Sequence, residues 1–239
     1  MTTQVVAVHP LDNPAWHALT GPHAALADGR GAARRYARDT SFFAAVERLD
    51  GPGWDALAAL AGPGGRLIVA RADVPSPPGG WHELRRIRGH QMTLTPPLPD
   101  GDPGRGSTAV PDLRPLGADD VPAMLDLVGV AQPGPFLPGT VGLGGYVGVF
   151  EGGRLVAMAG RRLALPGHVE VSAVCTHPDA TGRGLGTAVT AAVVEGIVAD
   201  QATPFLHVTV GNDRARRVYE RLGFRIRTTI DFVALAAPG

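Results

Sequence analysis

Two short stretches hold the residues best equipped for chemistry. The first is Thr181-Gly182-Arg183-Gly184-Leu185-Gly186-Thr187, which follows an apolar run ending at Thr176 and leads into a helix-periodic stretch up to Ala199. Glycines let successive backbone N–H groups converge without side chains in the way. A helix N-terminus adds unpaired donors and partial positive charge, and Arg183 adds a fork matched to phosphate oxygens. Together they would cradle a pyrophosphate, although such a loop taken alone equally serves as a tight turn and helix cap. The second stretch runs from Asn212 to Phe224. Asn212 is a natural helix cap and Gly223 a natural C-terminal stop. Tyr219 between them offers a phenol that can donate a proton, or an amphipathic anchor packed on a sheet. Glu170 and His207 are titratable side chains on strand-like stretches, each with a plain reading as a rim or core residue. Cys175, the sole cysteine, reads as a small buried apolar residue, because no His/Asp pattern accompanies it. His177 and Asp179 are loop residues, and no His/Cys spacing resembles a zinc site.

Bulk composition narrows the classes. The 239 residues carry 22 basic and 22 acidic side chains, every basic one an arginine. A zero balance argues against a general nucleic-acid binder, which carries a basic surplus. The apolar share of 44% suits a globular protein. A single cysteine allows no intrachain disulfide, so a reducing compartment is compatible. The first residues lack a secretory pattern, and the apolar stretch Thr187 to Ala199 contains Glu195 and is too short to span a bilayer. The expectation is a cytoplasmic monomer or homodimer with no membrane, nucleic-acid or metal partner.

These residues need elements to hold them. A Pro/Gly-dense linker over 97–108 cannot form a helix or an inner strand. It divides the chain into an N-terminal α/β segment, 1–96, and a C-terminal domain, 109–239. The N-terminal segment predicts a helix from Pro14 toward Leu26, helices over Ser41 to Arg48 and Trp54 to Ala61, and strands at Arg66 to Arg71 and Gln91 to Thr95. After the linker, a short strand at Leu113 leads to a helix from Val121 to about Val128. Strands Tyr146 to Phe150, Arg154 to Leu165 and His168 to Thr176 follow, joined by tight turns. A helix from Gly184, a strand Phe205 to Val210, a helix from Asp213 and a final strand from Phe224 complete the order. Alternation along His168 to Thr176 puts Glu170, Ser172, Val174 and Thr176 on one face.

Val174-x-Thr176-x-Pro178, the loop Thr181 to Gly186 and Asn212-x-x-Ala215-x-x-x-Tyr219-x-x-Leu222-Gly223-Phe224 together resemble the GNAT superfamily of acyl-CoA-dependent N-acyltransferases. The resemblance covers roughly Leu113 to Leu235. The stretches His168 to Pro178 and Pro204 to Val208 look like the branch that also holds glycine acyltransferase-like C-terminal domains. The implied fold is α/β (α+β): a mixed, mostly antiparallel sheet with a splayed parallel strand pair, preceded by a smaller α/β domain.

That resemblance implies an N-acyltransferase moving an acetyl or other acyl group from acyl-CoA to a primary amine, with a small-molecule amine or amino acid as acceptor. Val174, Cys175 and Thr176 would meet the pantetheine arm, and the Val174 N–H would polarise the thioester carbonyl. Thr181, Gly182, Arg183, Gly184, Leu185, Gly186 and Thr187 would hold the pyrophosphate. The family loop often opens with Gln or Arg where Thr181 stands. Asn212 and Ala215 would meet the donor from the other side, and Tyr219 would protonate the departing thiolate. Glu170, about a dozen ångströms from Val174 along the strand, would be the leading candidate to draw the amine proton, through a water relay, with His207 the second. Arg214 could reach a CoA phosphate.

Two rival classes remain at this point. A dinucleotide-binding oxidoreductase shares the glycines but not the spacing, the preceding antiparallel strands or the later acidic residue. A non-catalytic acyl-CoA-binding or sensory module shares the cradle, with Tyr219 and Glu170 weighing against it. The N-terminal segment is open to reading as a degenerate copy of the same fold that binds no CoA and walls the acceptor pocket.

Overall fold

The computed structural model describes residues 9–29, 31–94 and 112–239; the 97–108 linker lies outside them. Each helix starts and stops for local reasons. The helix α1 (Pro14–Leu19) ends earlier than its pattern predicts, because Gly21-Pro22 follows and proline excludes helical backbone before it. Helix α2 (Gly51–Ala61) is capped by Asp50, whose carboxylate accepts from the Gly53 N–H at 3.0 Å, and it ends at Gly62. Strands β1 (Ala27–Asp28), β2 (Ala33–Tyr36) and β3 (Ala44–Val46) form a small antiparallel sheet. The expected helix over Ser41 to Arg48 is thus a strand. Its three residues are all buried, and Phe42 and Phe43 carbonyls accept from Ile68 and Tyr36 on opposite sides, so sheet pairing overrides the helix propensity of alanine.

The main sheet has eight strands in the order β4-β11-β5-β10-β9-β8-β7-β6. These are β4 (Arg66–Arg71), β5 (His82–Leu94), β6 (Leu113–Pro115), β7 (Val147–Glu151), β8 (Arg154–Leu165), β9 (His168–Thr176), β10 (Thr203–Thr209) and β11 (Phe224–Ala236). Strands from both sides of the linker share it. The N-terminal β5 sits between β10 and β11, antiparallel to both. β5 begins nine residues before the expected Gln91, its outer half carrying an exposed His82-Glu83-Leu84-Arg85 run. The remaining helices are α3 (Val121–Ala131), α4 (Leu185–Ala199) and α5 (Asp213–Arg221).

Helix α4 covers one face. Val189, Val193 and Ile197 pack there with Val156, Val171 and Leu206 in one core cluster, and each buried aliphatic side chain contributes about 1.5–3 kcal/mol. Opposite, α3 supplies Met124 and Leu127 to a cluster with Tyr146, Met158 and Cys175. Helix α1 and the small sheet cover the rest of that face, against Leu163 and Phe205. No described helix is long and apolar enough to cross a membrane.

β9 and β10 are parallel and pair only from Thr203↔His168 to Leu206↔Val171. Beyond Val171 they part. β9 carries a bulge at the same point: Ser172 pairs with Gly160 and Cys175 with Met158, leaving Ala173 and Val174 without register partners, and Ala173 takes a left-handed φ of 52°. The bulge corrects the expected alternation. Thr176 approaches α4, where a Cβ on Gly186 would meet its hydroxyl at 3.2 Å. Ala173 and Cys175 belong to the α3 side. Glu170 and Ser172 lie on that α3 side, opposite Val174 and Thr176.

Candidate active site

The parting strands open a cleft of about 750 Å³. Val174, Cys175 and Thr176 line one side of it, and Val208, Thr209 and Asn212 the other. At one end stand Thr181, Gly182, Gly184, Leu185, Gly186 and Thr187; Ala131, Gln132 and Pro133, at the end of α3, also border it.

The glycine loop has the local geometry its sequence predicts. Gly182 and Gly184 take φ of 80° and 79°, a left-handed backbone that costs other residues about 1–2 kcal/mol. The first intrahelical bond runs from the Ala188 N–H to the Gly184 carbonyl at 3.0 Å. The N–H groups of Leu185, Gly186 and Thr187 therefore precede the helical ladder at the cleft's end, an anion-binding arrangement. Arg183 is the exception. Its guanidinium forms a two-bonded ion pair with Glu151 at 2.9 and 2.5 Å and it does not border the cleft. Arg214, Arg217 and Arg221 of α5 border it instead, with no ion pair among the described residues, whereas Arg216 is held by Asp213 and Glu220.

Asn212 caps α5, its side-chain oxygen accepting from the Ala215 N–H at 3.2 Å; its amide N–H₂ is left for the cleft. Ala215 and Tyr219 lie on the same cleft wall. Tyr219 packs edge-on against Phe224, and burial pushes its phenol up to about 12, so it holds its proton throughout the neutral range. Cys175 borders the cleft but is nearly buried, and burial pushes its thiol up to about 12 as well. It is a neutral packing residue.

Glu170 is placed differently from its predicted role. It is fully buried and does not border the cleft. Its two oxygens accept from Arg162 at 2.9 and 2.6 Å, and one accepts from His207 Nδ1 at 2.7 Å. Burial alone would raise this carboxyl, but the Arg162 guanidinium outweighs it and, with the hydrogen bonds, holds it at about 2. With both oxygens engaged, Glu170 presents no free oxygen to the cleft. His207 borders the cleft, yet its side chain is only 4% exposed. Its Nε2 lies 3.0 Å from the Gln91 amide nitrogen. Gln91 also donates to the Leu11 carbonyl at 2.8 Å and accepts from Arg227 at 2.6 Å, while Arg227 pairs with Asp12. Sequence reasoning missed Arg162, Gln91, Arg227 and Asp12. Turn symmetry about Pro166-Gly167 would set Leu163 opposite Glu170; the register shift between Arg161 and Ala164 brings Arg162 there instead, and no local pattern announces it.

No described N-terminal residue borders the main cleft. A separate recess of about 20 Å³ lies between Thr40 to Phe43 and the Pro135 to Leu143 stretch, with Arg162 at its wall; it has room for about one water. Among the described residues no group of three or more His, Cys, Asp or Glu could hold a metal ion.

A solved structure of a putative acetyltransferase from the GNAT family of Novosphingobium aromaticivorans is 36% identical, with 97% of this chain and 100% of that chain covered at a TM-score of 0.84. This chain belongs to the GNAT family. The FR47-like protein family pattern matches residues 146–233, the part of this GNAT chain that holds β9, β10 and α5. A GCN5-related N-acetyltransferase from Kribbella flavida shares the fold, at 22% identity, 98% and 97% coverage and a TM-score of 0.65. So does a GCN5-related N-acetyltransferase-like protein from Streptococcus suis, at 15% identity, 93% and 91% coverage and a TM-score of 0.52. No curated protein matches the chain.

Proposed function

We propose that this GNAT protein transfers an acetyl or other acyl group from acyl-CoA to the primary amine of a small molecule or amino acid. The observation that carries the reading is the cleft between β9 and β10, with a helix N-terminus at one end and a protonated phenol in its wall. The pyrophosphate would rest on the N–H groups of Leu185 to Thr187. Arg214, Arg217 and Arg221 take the ionic role first expected of Arg183. The pantetheine would lie along Val174 to Thr176, across from the Asn212 amide. Val174 lacks a register partner, which leaves its N–H to stabilise the oxyanion as the amine attacks. Collapse of that adduct expels CoA thiolate, and Tyr219 donates the proton it needs.

No described carboxylate borders the cleft and neither ring nitrogen of His207 is free. The amine therefore sheds its proton to solvent. Release of CoA thiol from acetyl-CoA over a panel of amines tests the whole reading. Amine-dependent release by the parent supports it. Tight CoA binding with no release for any amine would make the protein an acyl-CoA-binding module.

A further inference from the structure

A polar chain, buried at Glu170 and Gln91 and partly buried at its ends, crosses five neighbouring strands: Arg162 on β8, Glu170 on β9, His207 on β10, Gln91 on β5 and Arg227 on β11. Asp12 of the N-terminal segment ends it through Arg227. Two of its members sit at irregular points of the sheet. Arg162 falls within the β8 register shift between Arg161 and Ala164. Arg227 is the unpaired residue between Ile226 and Thr228. Such shifts re-aim side chains, and here both aim cations into the chain.

The link between Glu170 and His207 lies where the cleft begins. The last β9–β10 register pair is Val171↔Leu206, and His207 is the next residue of β10. Its Nδ1 reaches back across the parting strands to Glu170. On the other edge of β10, His207 stands directly opposite Gln91. The Gln91 amide cannot be turned over without loss, because Arg227 donates to its oxygen and the Leu11 carbonyl accepts from its nitrogen. That nitrogen can only donate to His207 Nε2, so Nε2 must be the acceptor and Nδ1 must carry the proton that Glu170 receives. A second ring proton on Nε2 would face another N–H. The rings of Phe205 and Phe232 pack edge-on against the imidazole, and leave it no alternative partner.

Building on the acyl-CoA reading, we propose that Gln91 and Glu170 are positioning residues: they lock His207 as its Nδ1–H tautomer and pin the apex of the cleft, setting the width in which the acyl donor lies. The N-terminal segment thereby acts on the site from outside the cleft, through Gln91 and the Leu11 carbonyl.

Nitrogen-15 correlation spectra of the parent imidazoles at neutral pH test the lock without any ligand. The expected His207 pattern is a protonated Nδ1 and an unprotonated Nε2; the reverse tautomer would overturn the proposal. Gln91→Glu replaces the donor by an acceptor, so His207 should become protonated at both nitrogens, and an unchanged His207 spectrum would count against it. Calorimetry with CoA tests the pin. His207→Phe should weaken CoA binding about tenfold or more. A folded His207→Phe that binds CoA as the parent does would refute the pin. If the parent itself binds no CoA, the acyl-CoA reading fails, and the spectra still decide the tautomer.

Discussion

Tyr219 and Glu170 show how environment assigns roles to titratable side chains. Burial keeps the Tyr219 phenol protonated, ready to serve a leaving thiolate, while Arg162 keeps Glu170 ionised and locked away. Tyr219→Phe should lower kcat by about 10²- to 10⁴-fold with CoA affinity in calorimetry unchanged. If the amine deprotonates to solvent, the rising limb of the pH–rate profile should move with the acceptor's own pKa. Identical profiles for two acceptors of different basicity would instead reveal a base in the protein. Glu170 also makes a stability statement. Held at about 2 in the fold, it lies below its ordinary value of 4.5, so its contribution is full above 4.5 and is lost as pH falls toward 2. Thermal unfolding over that window should show the loss. Glu170→Ala should cost about 3–5 kcal/mol at neutral pH, because it leaves Arg162 buried and uncompensated. At this scale the residues capped by local rules were legible in the sequence. Asn212, Gly182 and Gly184 sit where their backbone chemistry places them. Arg183 pairs with Glu151 of β7, a partner no local pattern announces, since a guanidinium fork suits a carboxylate as well as a phosphate.

Among the elements, the β9 bulge and the start of α4 decide what the cleft can bind. The bulge exchanges the faces of β9 partway along, frees Val174 from both ladders and coincides with the end of β9–β10 pairing. Nothing in Ser172-Ala173-Val174 announces it, since alanine at φ 52° is a product of tertiary context. The order of the C-terminal elements was legible, because turns at Gly152-Gly153 and Pro166-Gly167 punctuate it. Gly184→Ala should destabilise the fold by about 1–2 kcal/mol, measured by denaturant unfolding, and weaken CoA binding by displacing the first N–H groups of α4. Gly160→Ala tests packing on the other face. Its Cβ would stand 2.3 Å from the buried Tyr146 ring, so a loss of about 1–3 kcal/mol is expected.

Across the whole molecule, the two sequence segments share one sheet. β5 fills the place between β10 and β11 and carries Gln91 to His207. A Pro/Gly linker suggests separable parts, yet the pairing partners of β5 lie more than a hundred residues away in sequence, beyond the reach of local pattern. Residues 112–239 expressed alone should therefore lack cooperative unfolding, and coexpression with residues 1–94 should restore it; a stable, cooperatively folded fragment would argue for independence. The proposed chemistry requires one acyl-CoA in the β9–β10 cleft. Calorimetric titration of acetyl-CoA into the intact chain tests it most directly. A single site per chain is expected, weakened by Gly184→Ala. Absence of binding, or two equivalents per chain, would contradict it.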